Sequence, residues 1–263
     1  MTRAVMTIHG FLTDIKDFGR LYDYLDFYDE VVPCKVPGHN DKVDFKLFTA
    51  DATVKAITDC YDDLRDRYDE VDVVGFSMGG ALASYLCFTR DVHKCVLMAP
   101  ANKYLNPRFV FDAIKYYAGF QRETYKNAEG KLHNKVTAVR KEMKPYHRNM
   151  SACLKLEIDR ILPNLSWHTY SVFSKIISKI NKTIDGSDNA AMPTLILRGD
   201  LDELVPKSSV EYLLKHFDNC KSESFKDIGH GMLFTNRDNV IISKLVEFLS
   251  DGEIVPDVPF RDV

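Results

Sequence analysis

The 263-residue sequence lacks the features that mark several classes of protein. It has no run of about 18 consecutive apolar residues, the length that a transmembrane helix needs. Its six cysteines occur without C-x-x-C spacing, and no group of His, Cys and Asp has the spacing of metal ligands. We therefore expect reduced cysteines, no bound metal and no other cofactor.

The sequence also lacks an excess of charge of either sign. Its formal net charge is −3, with 28% charged and 45% hydrophobic residues, which is typical of a globular domain. No nucleic-acid-binding module is present, so we expect neither a nucleic-acid partner nor integral membrane association. Met1 leads directly into the first predicted strand without a signal peptide, which predicts a cytoplasmic location. The oligomeric state stays open.

Apolar strand-like segments alternate with helix-like segments along most of the chain. Strands are predicted over residues 4–8, 29–34, 71–76, 94–99, 194–198 and 220–225, and helices near 16–27, 52–68, 78–89, 207–217 and 236–249. This alternation predicts an α/β fold, in which right-handed crossovers build a parallel sheet with helices on both faces. Loops at the carboxyl ends of the strands then meet at the point where the strand order reverses.

Residues 71–86 carry the motif that first indicates chemistry. The stretch V-D-V-V-G-F-S-M-G-G passes from an apolar strand into a helix, and Ser77 lies on the turn between them. In the pattern G-x-S-x-G, Gly75 and Gly79 allow a sharp turn that exposes the serine hydroxyl as a nucleophile. A phosphate-binding turn is disfavoured, because the stretch has neither a Walker lysine nor G-x-G-x-x-G spacing.

A serine nucleophile needs a histidine to take its proton and a carboxylate to orient that histidine. Downstream, the strand at 194–197 ends in an acidic loop that contains Asp200 and Asp202. Further on, His230 lies between two glycines in a loop after the last predicted strand. The chain order Ser, Asp, His is the one that hydrolases with this serine turn use.

These motifs together resemble the α/β-hydrolase superfamily, and within it the branch of bacterial carboxylesterases and monoacylglycerol lipase-like enzymes. The matching motifs are His9-Gly10-Phe11, Gly75-Phe76-Ser77-Met78-Gly79-Gly80, Gly199-Asp200-Leu201-Asp202 continuing to Val205-Pro206, and Gly229-His230-Gly231. The resemblance implies Ser77 as nucleophile, His230 as base and Asp202, at the end of G-x-x-D, as the acid. Asp200 remains the second candidate for the acid.

The same resemblance implies an oxyanion hole formed by the backbone N–H groups of Phe11 and Met78. His9 would orient the loop, and His39 is expected to be structural rather than catalytic. The loop lacks the H-G-G-G form, which suggests esters of primary or secondary alcohols. Compared with the family, the first two strands are missing, so we expect a compact sheet of about six strands.

The resemblance does not extend through residues 103–190, which predict a helical cap inserted into a core of residues 1–102 and 191–263. In the cap, an amphipathic helix is predicted over residues 166–180. Trp167, Tyr170 and Phe173 lie on its apolar face. Most of that face is expected to pack against the core, and the remainder is a candidate lining for an acyl pocket.

The predicted cap is basic, with 16 Lys and Arg against 8 Asp and Glu in residues 103–190, although the whole chain is slightly acidic. Solvated helix faces that pair with the acidic core explain this balance. Attraction of an anionic substrate or surface is the alternative.

The sequence therefore predicts a serine ester hydrolase that acts on a small-molecule ester through an acyl-serine intermediate. A thioesterase or acyltransferase using the same three residues is the alternative enzyme. A ligand-binding protein that keeps the fold without turnover is a hypothesis from another class.

Overall fold

A parallel sheet of six strands forms the centre of the part of the chain that the structure describes. The computed structural model describes residues 1–39, 43–103 and 164–260. The strands are β1 (Arg3–Ile8), β2 (Glu30–Cys34), β3 (Glu70–Phe76), β4 (Cys95–Met98), β5 (Thr194–Gly199) and β6 (Cys220–Phe225). All pairings are parallel, which confirms the predicted compact sheet.

The strand order, β2-β1-β3-β4-β5-β6, reverses direction at β1. The chain first adds β2 on one side of β1 and then crosses over to add β3 on the other side. In the register of this central pair, Ile8 lies opposite Gly75, so the carboxyl ends of β1 and β3 are level. Ligands of open α/β sheets bind at such a reversal. The loop after β1 and Ser77 after β3 both begin there.

Five α-helices cover the two faces of the sheet within the described ranges. They are α1 (Ala50–Arg67), α2 (Met78–Thr89), α3 (Trp167–Asp185), α4 (Ser208–Leu213) and α5 (Asp238–Leu249). The helix predicted near 16–27 is instead a 3₁₀ segment, Ile15–Tyr24, because Gly19 takes a left-handed φ of 49° and interrupts it. Among these described helices, none is both long and apolar enough to cross a membrane.

Helix α3 belongs to the hydrophobic layer that α1 and α2 form on one face of the sheet. Its residues Phe173, Ile176, Ile177 and Ile180 are fully buried there. The capping box at Ser166 fixes the start of the helix, since the Ser166 side chain accepts the Thr169 N–H and the Thr169 side chain accepts the Ser166 N–H. Part of the range predicted as a cap therefore packs in the core layer.

The division of the chain into core and cap stays a prediction. Residues 104–163, which make up most of the predicted cap, lie outside the described residues. On the opposite face of the sheet, α5 and the 3₁₀ segment cover a second apolar layer. The inner strands of the sheet are thus buried on both faces, as the near-continuous apolar runs of β3 and β4 require.

Truncating the buried face of α3 should destabilise the protein. In Phe173→Ala we expect a loss of about 3–5 kcal/mol in the free energy of unfolding, because a fully buried ring is replaced by a cavity. Trp167→Ala on the same helix is the matched control. The Trp167 side chain is 82% exposed, so its loss should change stability by less than about 0.5 kcal/mol. Equal losses in urea unfolding would contradict the packing of α3 described here.

Candidate active site

Ser77 occupies a strained turn between β3 and α2. Its backbone has φ 55° and ψ −115°, a region that L-residues rarely adopt and that costs on the order of 1–3 kcal/mol. The turn is held from both sides, because the Ser77 N–H donates to the Met98 carbonyl and the Ser77 carbonyl accepts the Ala101 N–H, at 2.9 and 3.0 Å. The strained conformation of Ser77 is therefore held by hydrogen bonds to β4 and to the residues that follow it.

Two glycines of the motif are required by close backbone packing. A Cβ on Gly79 would lie 1.9 Å from the Ile8 carbonyl oxygen, and a Cβ on Gly75 would lie 2.2 Å from the Gly79 carbonyl oxygen. The first turn of α2 therefore lies directly against the end of β1. This contact brings the loop that contains Phe11 next to the helix start that contains Met78.

The side chains of Ser77, His230 and Asp202 form a continuous chain of hydrogen-bonding distances. His230 Nδ1 lies 2.9 Å from Asp202 Oδ2, and His230 Nε2 lies 2.9 Å from Ser77 Oγ. A carboxylate can only accept, so Nδ1 carries the proton and Nε2 is the acceptor for the serine hydroxyl. The His230 and Asp202 side chains are 3% and 1% exposed, so water screens this contact little.

The second oxygen of Asp202 is bound by its own loop. Asp202 Oδ1 accepts the N–H groups of Leu204 and Val205, each at 2.9 Å. Asp200, the other candidate acid, lies on the surface with a side chain that is 42% exposed. The carboxylate that contacts His230 is thus the one at the end of the G-x-x-D pattern.

The acid loop and the histidine loop are tied together through their backbones. The Leu201 N–H donates to the Ile228 carbonyl at 3.0 Å. A Cβ on Gly199 would lie 2.2 Å from the same Ile228 oxygen, so only glycine fits there. This close approach holds Asp202 and His230 at a fixed separation.

The loop after β1 is held by two buried side chains whose part in it the sequence analysis did not recognise. The Gly10 N–H donates to Asp17 Oδ2 at 2.9 Å, and the Thr13 hydroxyl donates to the same oxygen. The Leu12 N–H donates to His39 Nε2 at 3.2 Å. Asp17 is unusual as a buried carboxylate in a 3₁₀ segment, but its spacing from the glycine carries no recognised motif.

His9, at the start of this loop, contacts its backbone. Its side chain is fully buried, and its Nδ1 lies 3.0 Å from the Gly10 carbonyl oxygen. Leu12 has a left-handed φ of 58°, which costs a leucine about 1–2 kcal/mol. Contacts with the surrounding side chains must offset that cost.

The three predicted pocket residues lie in different surroundings. The Phe173 ring is buried with its centroid 4.9 Å from that of Phe11, and the partly buried Tyr170 ring is 6.4 Å from Phe173. Trp167, at the start of α3, is exposed. The structure thus brings Phe173 next to the loop that contains Phe11 and leaves Trp167 on the surface.

The described ranges contain no cluster of three or more His, Cys, Asp or Glu arranged to hold a metal. The five cysteines in those ranges are free thiols.

Comparison with known families identifies the class of protein. Residues 37–237 match the family model described as the alpha/beta hydrolase fold. This match spans more than half of the chain and includes Ser77, Asp202 and His230. The chain therefore belongs to the α/β-hydrolase family. Comparison with curated proteins gives no sequence match.

Solved structures with a similar fold include ones described as lipolytic enzymes and one described as a lactonase. A structure from work on the metagenome-derived lipolytic enzymes LipS and LipT has a TM-score of 0.64 at 15% identity, covering 95% of this chain and 94% of that chain. The Paleococcus ferrophilus monoacylglycerol lipase has a TM-score of 0.64 at 15% identity, covering 95% of both chains. The Burkholderia xenovorans LB400 enol-lactonase has a TM-score of 0.64 at 17% identity, covering 95% of this chain and 92% of that chain. At these identities the likeness concerns the fold.

Replacing Gly79 should disrupt the site through the backbone. In Gly79→Ala the new methyl group would overlap the Ile8 carbonyl, so α2 must move away from β1, at a cost of about 2 kcal/mol or more in unfolding free energy. Gly186→Ala is the matched control, since Gly186 has an ordinary φ of −97° and a Cβ there would approach its nearest atom only to 3.3 Å. Its effect should stay within about 1 kcal/mol. A Gly79→Ala variant as stable as Gly186→Ala would contradict the contact between α2 and β1.

Proposed function

We propose that this protein is a serine hydrolase that cleaves carboxylic esters of a small acyl-containing substrate through an acyl-serine intermediate. The observation that carries the proposal is the position of His230, whose two ring nitrogens lie 2.9 Å from Ser77 Oγ and from Asp202 Oδ2. This is the arrangement in which a base activates a serine while a carboxylate fixes its tautomer.

The reaction begins with attack of Ser77 Oγ on the ester carbonyl carbon. As the new C–O bond forms, His230 Nε2 takes the hydroxyl proton, and Asp202 stabilises the imidazolium across the short Nδ1 contact. Collapse of the tetrahedral intermediate breaks the bond to the alcohol oxygen, which receives the proton from Nε2. Water then attacks the acyl-serine with His230 again acting as base, and releases the acid.

The negative charge of the tetrahedral intermediate needs donors that are already in position. The N–H of Met78 belongs to the first turn of α2, where the helix dipole and unpaired N–H groups favour an anion. The N–H of Phe11 belongs to the loop that follows β1, and Gly79 packs against the end of that strand. Both donors are backbone groups, so substitutions at Phe11 and Met78 would test packing rather than the hydrogen bonds.

The acyl group is proposed to lie beside the aromatic side chains near Phe11. The proposed lining from α3 is the partly buried Tyr170 together with Phe173, whose ring packs against that of Phe11. The names of the similar structures, two of them lipolytic and one a lactonase, support an ester or related acyl substrate. We therefore favour a carboxylesterase or monoacylglycerol lipase-like enzyme that acts on a small molecule. We also propose a cytoplasmic location and no nucleic-acid partner, as the sequence predicts.

A thioesterase or acyltransferase would use the same acyl-serine and differ in the leaving group or the acceptor. No described contact favours either one. We would measure kcat/KM for a panel of p-nitrophenyl esters of graded acyl length and for the matching thioesters. The comparison separates these reactions.

Loss of Ser77 or His230 should abolish turnover to a similar extent. We expect Ser77→Ala and His230→Ala each to lower kcat for a p-nitrophenyl ester by roughly 10⁴-fold or more, and the double variant to be little slower, because the residues act as a unit. A fluorophosphonate probe should label the wild-type protein and leave Ser77→Ala unlabelled. Additive losses in the double variant, or labelling at another serine, would refute the assignment.

The two carboxylates of the acid loop provide a matched pair of variants. Asp202→Asn should lower kcat by roughly 10⁴-fold, because the amide no longer stabilises the imidazolium and permits the wrong histidine tautomer. Asp200→Asn should stay within a few-fold of the wild-type protein, since the Asp200 side chain is 42% exposed and lies beside Arg198. The opposite order of losses would assign the role of the acid to Asp200.

A further inference from the structure

The loop that contains Phe11 has its backbone fixed on both sides of that residue. On one side, the Gly10 N–H donates to Asp17 Oδ2 at 2.9 Å. On the other side, the Leu12 N–H donates to His39 Nε2 at 3.2 Å. These contacts hold the two peptides on either side of the Gly10–Phe11 peptide, which carries the Phe11 N–H and whose carbonyl oxygen lies 3.0 Å from His9 Nδ1.

The contacts of His39 fix its tautomer by elimination. Its Nδ1 lies 3.0 Å from the Pro37 carbonyl oxygen, which can only accept, so Nδ1 carries the proton. Its Nε2 faces the Leu12 N–H, which can only donate, so Nε2 must present a lone pair. Burial lowers the pKa of the His39 imidazole, which favours this neutral form.

Packing holds the His39 ring in the orientation that these contacts need. The rings of Phe45 and Phe48 meet it edge to face, with centroid distances of 5.1 and 4.8 Å. Phe48 also lies 6.1 Å from the Phe11 ring, and His9 lies 5.3 Å from His39 on the side of β1. The residue is 6% exposed, so water has little access to replace it as the acceptor.

We infer that His39, as the neutral Nδ1–H tautomer, is a positioning residue for the proposed oxyanion loop, holding Leu12 in its left-handed conformation so that the Phe11 N–H stays directed at the substrate carbonyl. This inference rests on the proposed function. His39 does not touch the reacting atoms and acts through the Leu12 peptide. Its loss should therefore weaken binding of the transition state while leaving binding of the ester itself nearly unchanged.

The test compares two variants at His39. His39→Leu fills part of the space without an acceptor, and we expect kcat for a p-nitrophenyl ester to fall on the order of 10²-fold, the effect of moving a catalytic group by about 1 Å, with KM changed less than about threefold. His39→Gln places an amide oxygen where Nε2 lies, so it should recover most of the lost kcat. Affinity for a trifluoromethyl ketone, which forms a tetrahedral oxyanion on a serine, should fall in parallel with kcat.

A purely structural role for His39 predicts a different set of results. It would lower the melting temperature of both variants and leave kcat of the remaining folded protein unchanged. His216→Leu serves as the control for losing a histidine elsewhere, because His216 bonds to the Tyr212 carbonyl near the end of α4. Equal kcat losses in the Leu and Gln variants, or wild-type kcat in His39→Leu, would overturn the positioning role.

A measurement without turnover separates this inference from the proposed function. Nitrogen-15 NMR of the imidazole groups, with the His39 signals assigned by their loss in His39→Gln, should show a protonated Nδ1 and an unprotonated Nε2 at neutral pH. A protonated Nε2 overturns the inference whatever the activity. If the wild-type protein neither hydrolyses esters nor takes up the fluorophosphonate probe, the proposed function fails, and the inferred role fails with it even where the tautomer agrees.

Discussion

The contact between the first turn of α2 and the end of β1 is the constraint on which the site depends. A side chain at Gly79 has no room, because its Cβ would lie 1.9 Å from the Ile8 carbonyl oxygen. With the two backbones this close, the level carboxyl ends of β1 and β3 bring the Phe11 loop and Ser77 to one place. The left-handed φ of Ser77 follows from the same geometry, since the chain must turn sharply to enter α2 from a buried strand.

The remaining parts are fixed by buried hydrogen bonds that leave each group one role. Both oxygens of Asp202 have donors, so the carboxylate is held in the orientation that keeps the His230 proton on Nδ1. The ring of His39 is held in a similar way, because Nδ1 faces the Pro37 carbonyl and Nε2 faces the Leu12 N–H. In both cases the environment of a buried imidazole selects its tautomer. The unprotonated nitrogen of His230 faces the Ser77 hydroxyl, and that of His39 faces the Leu12 N–H.

Much of this arrangement is readable from the sequence because it depends on short-range patterns. The six strands, the glycines around Ser77 and the order of Asp202 and His230 are local features of residue type and spacing. The 3₁₀ segment was predicted as an α-helix, because its apolar spacing is helical while the left-handed φ of Gly19 is a tertiary outcome. The anchors of the Phe11 loop were missed for a related reason: Asp17 and His39 meet it only in the folded chain. The packing of α3 against α1 and α2 likewise depends on which neighbours the chain brings to its apolar face.

The central claim is that an ester acylates Ser77 before water releases the acid. Rapid quenching of a reaction with a p-nitrophenyl ester, followed by intact-mass analysis and peptide mapping, tests it most directly. The account predicts a burst of p-nitrophenol close to one equivalent per chain, matched by one acyl group on the peptide that contains Ser77. A burst with the acyl group on another residue would contradict the account. So would turnover without any detectable acyl-enzyme when a hindered acyl chain slows hydrolysis of that intermediate.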